Sequence, residues 1–197
     1  DCQFVSNVAE DGAGGGAIYI EGESNIDILG SRFLCNNDRL GLTTYEGGAI
    51  HINSSNCYID NSFFSGNKVF DQQGGAIFGI NSSSQKTIAI KNSTFTQNRA
   101  REGGAIFIYD NFNLNIENCL IFDNDMVTGF GNGGVINSDG SNNNVSILSS
   151  TIADNNNTGG TGDPRGIVNS NCNTFVVDNC IVWGNDDEDI WDFGAGS

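Results

Sequence analysis

The segment GGAIFGINSSSQKTIAIKNSTFTQN, residues 74–98, contains both halves of a repeat. It opens with GGAI at 74–77 and closes with FTQN at 95–98. GGAI recurs at 15–18, 47–50 and 103–106, followed by GGVI at 133–136 and a weaker RGIV at 165–168, at intervals of 27 to 32 residues. Such a period is the mark of a solenoid, a propeller or another repeat array. The second half is equally persistent: FVSN at 4–7, FLCN at 33–36, FSGN at 64–67, FTQN at 95–98, IFDN at 121–124, IADN at 152–155 and VWGN at 182–185. Each copy ends in Asn, at Asn7, Asn36, Asn67, Asn98, Asn124, Asn155 and Asn185.

Working backward from each leading Phe, Ile or Val exposes a period of two. Seven positions before it stand Ile26, Cys57, Ile88, Leu114, Val145 and Phe175; five before it stand Ile28, Ile59, Ile90, Ile116, Ile147 and Val177. The position four before it is mostly charged, including Asp60, Lys91, Glu117 and Asp178. Alternation of apolar and polar residues is the pattern of strands with one buried face. Two positions before the motif the residue is always Ser or Cys, a small-residue column.

Column chemistry separates a propeller from a solenoid. Equivalent residues of propeller blades lie far apart, whereas coils of a parallel β-helix stack at about 4.8 Å, so equivalent side chains touch. Asn stacked on Asn then forms an amide ladder along the axis, and Asn61, Asn92, Asn118 and Asn179 suggest a second one. The sequence therefore predicts an all-β parallel β-helix of about seven coils of about 30 residues, with three short strands per coil. It runs through residues 1–197 as one domain, with variable loops between FxxN and GGAI, the longest at 156–165. The paired Gly residues supply a tight corner or a close backbone approach, Ala leaves room where sheets converge, and Ile fills the core.

Paired GGAI and FxxN motifs at this spacing resemble the repeats of the chlamydial polymorphic outer membrane proteins and related secreted proteins. The resemblance covers essentially the whole chain. It implies a right-handed parallel β-helix, located extracellularly or at the cell surface, in adhesion or surface display. It implies no catalytic residue, because these motifs build coils. The β-barrel of the chlamydial proteins does not occur in this sequence.

Composition narrows the partners. With 24 acidic and 8 basic residues the formal charge is -16, which excludes a nucleic-acid partner, since that needs clustered Lys and Arg. No apolar run reaches the roughly 20 residues of a membrane-spanning helix. Six cysteines show neither zinc-finger nor CxxC spacing. Cys119 and Cys180, two coils apart, are too distant for a disulfide and are expected as buried free thiols. Sequons at Asn53, Asn81, Asn92, Asn144 and Asn156 accord with secretion.

Two groups of residues are candidate sites. His51, the only histidine, lies in a column with Tyr19, Phe78, Phe107 and Asn137, one residue past each buried Ile. Alternation points this column outward, as a stripe able to stack on sugars or on another protein. Loop coverage or ordinary surface packing is the plainer reading. Asp186, Asp187, Asp189 and Asp192 crowd together near residue 190 and could supply oxygen ligands to Ca2+. EF-hand and RTX spacings are absent, so a solvated acidic loop is preferred and no cofactor is expected. The sequence thus predicts a non-enzymatic structural or adhesive protein, contacting other surface proteins or glycans. The alternative is a polysaccharide-binding or polysaccharide-cleaving β-helix, which would need a basic cluster or two converging carboxyl groups. Neither end shows a recognisable polar cap, so the expectation is either head-to-tail stacking into a fibre, with Asn185 continuing the ladder onto Asn7 of a second copy, or a place within a longer surface solenoid.

Overall fold

A computed structural model describes residues 1–9, 14–38, 46–127, 134–158, 165–185 and 188–192. Three parallel sheets wind along one axis. The FxxN sheet has seven strands: Gln3–Val5, Arg32–Leu34, Phe63–Ser65, Thr94–Thr96, Leu120–Phe122, Thr151–Ala153 and Ile181–Trp183. The GGAI sheet also has seven: Ile18–Ile20, Ile50–Asn53, Ile77–Ile80, Ile106–Tyr109, Gly134–Asp139, Arg165–Asn169 and Glu188–Asp192. The third sheet has six longer strands: Asn25–Leu29, Asn56–Asp60, Lys86–Lys91, Phe112–Glu117, Asn144–Leu148 and Thr174–Asp178. Within each sheet, strands one coil apart pair in the register that the motif columns predict, such as Phe64 with Phe95 and Ile59 with Ile90. Short strands just after the Asn, among them Arg99–Ala100, Asp125–Met126 and Asn156–Asn157, add a small fourth sheet where the sequence suggests only loop.

The core is a set of vertical columns. Ile50, Ile77, Ile106 and Ile136 are completely buried, as are Ile59, Ile90 and Ile147. Phe4, Phe33, Phe64 and Phe95 stack with centroids 4.6–4.7 Å apart and planes within 6° of parallel. That separation matches the strand spacing. It exceeds ring contact distance, so the rings are slipped in the offset arrangement that aromatic quadrupoles favour.

The Asn column forms the expected ladder. Each Asn Nδ2 donates to Oδ1 of the Asn one coil on, at 2.7–2.9 Å, from Asn7 through Asn185. The backbone N–H of the same residue donates to the same oxygen. The second Nδ2 hydrogen goes to the carbonyl of the preceding coil's leading residue, as from Asn98 to Phe64 at 3.0 Å. Asn36, Asn67, Asn98, Asn124 and Asn155 are fully buried, and each has both its donors and its acceptor engaged.

The second Asn column has another cause. Gly30, Asn61, Asn92, Asn118, Ser149 and Asn179 all have positive φ, between 48° and 56°. These are left-handed corners, which Gly and Asn tolerate best. Asn118 donates to Asn92 at 2.7 Å, but Asn92 donates to Asp60, so the ladder is partial. The Ser and Cys column is structural. Backbone N–H groups of Ser31 and Ser62 donate to the hydroxyls of Ser62 and Ser93, and the Ser150 N–H reaches Cys180 Sγ at 3.5 Å. All six cysteines are free; Cys119 is buried and Cys180 half-buried. Burial pushes the Cys119 thiol up to about 11, which leaves it unreactive.

Both glycines of GGAI are explained. The first has φ between 62° and 80° at Gly15, Gly47, Gly74 and Gly103. At the second, a Cβ on Gly48 or Gly75 would strike the carbonyl oxygen of Gly75 or Gly104 one coil on.

Asn98→Ala should lower stability by about 3 kcal/mol or more, since it strands two buried donors, the Asn67 backbone N–H and Nδ2–H, at about 1–3 kcal/mol each, and takes one donor from the Phe64 carbonyl and one from Asn124 Oδ1. Asn7→Ala, at the exposed first rung, should cost under about 1 kcal/mol. Urea unfolding measures both, and equal losses would refute the ladder as a buried network.

Candidate binding groove on the outer face of the GGAI sheet

Alternation along the GGAI strands places Tyr19, His51, Phe78 and Phe107 in one outward column, paired in register. Adjacent rings contact one another at centroid separations of 4.9, 5.0 and 5.7 Å. The column is not an open stripe. Tyr19 is 40% exposed, but His51, Phe78 and Phe107 are only 7%, 2% and 3% exposed. The corner before each GG pair folds over them: a Cβ on Gly14 would meet the His51 ring and the Glu46 carbonyl.

What remains open is a groove of about 210 Å³ lined by Glu46, Gln73, Phe78, Ile80, Phe107, Tyr109 and Asp139. Glu46 and Gln73 precede their GG pairs and form one wall, whose backbone is tied by the Gly47 N–H donating to the Gln73 carbonyl at 3.1 Å. Ile80, Tyr109 and Asp139 form the other, in register across three strands. Phe78 and Phe107 make the floor. Gln73 is steadied by donating to Glu102 at 3.3 Å.

Electrostatics sets this groove apart from the rest of the surface. Burial raises the Glu46 carboxyl to about 7, with Arg101 pulling it down. Burial lowers His51 to about 4, opposed only by the nearby Glu46 backbone carbonyl, which is off hydrogen-bonding geometry. Neither His51 ring nitrogen has a hydrogen-bond partner among the described residues. A Phe would repeat the column, and His51 instead places two unsatisfied nitrogens there.

The sequence identifies the aromatic floor but not Glu46, Gln73, Tyr109 or Asp139. The signal was available: the residue before GG and the residue two beyond each outward aromatic are also columns.

Of the acidic residues near 190, Asp186 and Asp187 lie outside the described residues. Asp189 and Asp192 belong to a strand rather than a loop, paired with Arg165–Asn169. They have separate partners. Asp189 Oδ1 accepts from the Asn185 backbone N–H at 3.3 Å and from its Nδ2 at 3.0 Å, whereas Asp192 accepts from Asn169 at 2.6 Å. Among the described residues no three His, Cys, Asp or Glu gather as a metal group. Asp189 also takes the Asn185 donors that a ladder onto a second copy's Asn7 would use.

A second recess, of about 260 Å³, lies between Lys68, Phe70, Asp71 and Arg99. Arg99 is paired there with Asp125 at 3.4 Å. No helix among the described residues is long and apolar enough to cross a membrane.

Residues 1–147 match the family model described as the right handed beta helix region. No curated protein and no solved structure matches the chain.

His51→Phe should stabilise the fold by about 1–2 kcal/mol at pH 8 by removing two unsatisfied buried nitrogens. Between about pH 4 and 6.5 the unfolded chain binds a proton at His51 that the native state refuses, so stability falls as pH drops through that window. The variant should therefore gain about a further 1–2 kcal/mol at pH 5. Glu46 acts oppositely: raised from 4.5 to about 7, it favours the native state at acid pH and loses that contribution as pH rises through 7. Denaturation of parent and variant at pH 5 and pH 8 checks the difference, and a pH-independent effect would refute it.

Proposed function

The chain belongs to the right-handed β-helix family, and from that premise we propose a non-enzymatic, extracellular structural or adhesive protein, a stiff acidic rod that presents its groove to surface proteins or glycans. The observation that carries this reading is the unbroken Asn ladder, which joins successive coils by buried hydrogen bonds from Asn7 to Asn185. With the stacked Phe column it makes each coil a template for the next and resists bending. A formal charge of -16 keeps such a rod soluble and self-repelling. The motif resemblance to the chlamydial polymorphic outer membrane proteins supports a place at the cell surface.

One observation favours the alternative, a polysaccharide-cleaving β-helix. Glu46, half-protonated near neutrality, and Asp139 line the same groove, and two carboxyl groups on one cleft are what a glycoside hydrolase needs. The size of the groove argues against it. About 210 Å³ is below the roughly 300–1,000 Å³ of ordinary small-molecule sites and leaves little room for the sugars on both sides of a scissile bond.

Antibody labelling of intact against permeabilised source cells should detect the chain on intact cells; signal only after permeabilisation would overturn the display role. A panel of acidic and neutral polysaccharides should survive incubation with the purified chain. Cleavage that disappears in Glu46→Gln would establish the enzyme instead.

A further inference from the structure

We propose that the outer face of the FxxN sheet binds a neutral, extended polysaccharide chain laid along the axis of the rod. The first and third residues of each of its seven strands point outward, because the middle one, as at Phe64 and Phe95, is buried. Those outward positions hold no carboxyl group and a single charged residue, Arg32, in a chain with 24 acidic residues. The long-strand sheet, by contrast, turns Asp27, Asp60, Glu117 and Asp178 outward. The FxxN face is most apolar over its last three strands, where Leu120, Ile181 and Trp183 are 41%, 62% and 66% exposed and Phe122 and Ala153 are half-buried. A contiguous exposed patch of this kind marks a contact surface.

The rings on this face are open to a ligand. Phe122 and Trp183 share one column with Ala153 between them, paired in register, so they stand two coils or about 9.6 Å apart. Ala153 is too small to cover either, and neither ring touches another aromatic ring among the described residues. In this they differ from Phe78 and Phe107, which stack on each other. The face is also flat. The rings of Phe4, Phe33, Phe64 and Phe95 issue from one strand position and turn by no more than 6° from coil to coil, whereas neighbouring strands of an ordinary sheet turn by about 20–25°.

Charge, dimensions and flatness together select the occupant. A second copy brings the same charge of -16 and the same narrow strip. Seven strands at about 4.8 Å by three residues at about 3.3 Å give about 330 Å² a side, and two such sides fall short of the roughly 1,000 Å² of a specific protein interface. Other folded partners meet the same limit of area, and a polyanion is repelled by the chain as a whole. An extended neutral glycan needs only length and flatness. It is a ribbon whose C–H groups meet the negative faces of aromatic rings, while its hydroxyls stay in water along both sides of the strip.

The assignment rests on reading the chain as a rod that contacts glycans, and it can fail separately from display. Sedimentation of the purified chain with microcrystalline cellulose measures it. The chain should partition onto cellulose and not onto starch granules, a neutral glucan wound into helices. Because no charge is involved, the partition should change by less than about twofold between about 50 and 500 mM salt. Trp183→Ala and Phe122→Ala should each weaken it about fivefold or more, Trp183→Phe should retain most of it, and Tyr58→Ala, on the long-strand sheet, should leave it unchanged. Trp183 is exposed, so its truncation should preserve the fold, which an unchanged urea midpoint checks. No binding to cellulose, equal binding to starch, or equal losses in Trp183→Ala and Tyr58→Ala would overturn the proposal. A concentration-dependent dimer that Trp183→Ala dissolves would also overturn it, by giving the face to a second copy. Cellulose binding by a chain absent from the cell surface would remove the display role and leave the ligand class standing.

Discussion

Every coil of this molecule is held to the height of an amide. In the buried Asn column each side chain accepts twice from one neighbour and donates to both, so displacing one coil breaks hydrogen bonds on either side of it. Rungs separated by 26 residues, Asn98 to Asn124, and by 31, Asn67 to Asn98, keep the same bond lengths within about 0.1 Å. The variation in repeat length is therefore absorbed elsewhere, both between FxxN and GGAI and in the turn between the GGAI strand and the long strand, where backbone runs over the surface and tolerates insertion. The Phe stack, the Ile columns and the Ser hydroxyl bonds depend on that common rise, because each works only at the spacing between strands.

What could be read from the sequence follows from this constraint. Strands, columns and register were legible because each coil repeats the demands of its neighbours, and seven noisy copies state one pattern. Where a column has two possible physical causes, the pattern alone does not separate them. Asn61, Asn92 and Asn118 look like ladder residues, yet Gly30 and Ser149 share their place because the requirement there is a left-handed corner. The outward direction of Tyr19, His51, Phe78 and Phe107 was also legible from alternation. Their coverage was the plainer expectation, and what the pattern did not give is which residues supply it, because that depends on how the corners carrying Glu46 and Gln73 lean across the sheet, and no period encodes that.

The groove arises where columns stop repeating. His51 interrupts an aromatic series, Ile80 is followed by Tyr109 and then Asp139, and Glu46 by Gln73. A uniform column would give a uniform ridge. Unequal neighbours give a local hollow with a distinct charge, as expected if local departures from an otherwise consistent design mark sites of function. The two titrating residues show the energetic consequence, since burial disfavours the charged form of both and neither has a counter-charge bonded to it. Stability is conceded at one end of one sheet, in a fold whose ladder supplies it along the whole axis.

Asp189 shows the same logic applied to the ladder itself. The ladder amides point one way, donors toward the C-terminal coils, so their dipoles add and the last donors face an electrostatic demand like that at the N-terminus of a helix. Register places Asp189 in the column occupied earlier by Ala49, Ala76 and Ala105, next to the buried Ile position. A carboxylate there accepts both Asn185 donors, which a further Asn would otherwise receive. Gly166, one coil before in the same column, completes the arrangement: a Cβ would lie 2.8 Å from Asn185 Nδ2 and 2.6 Å from the Asp189 carbonyl oxygen. Along this column Ala gives way to Val135, then Gly166, then Asp189, and the missing Cβ at Gly166 leaves room for the Asn185 amide from which the Asp189 carboxylate accepts. The acidic run near residue 190, which by composition alone resembles a solvated loop or a metal site, thus contains the carboxylate that accepts the Asn185 donors of the amide array.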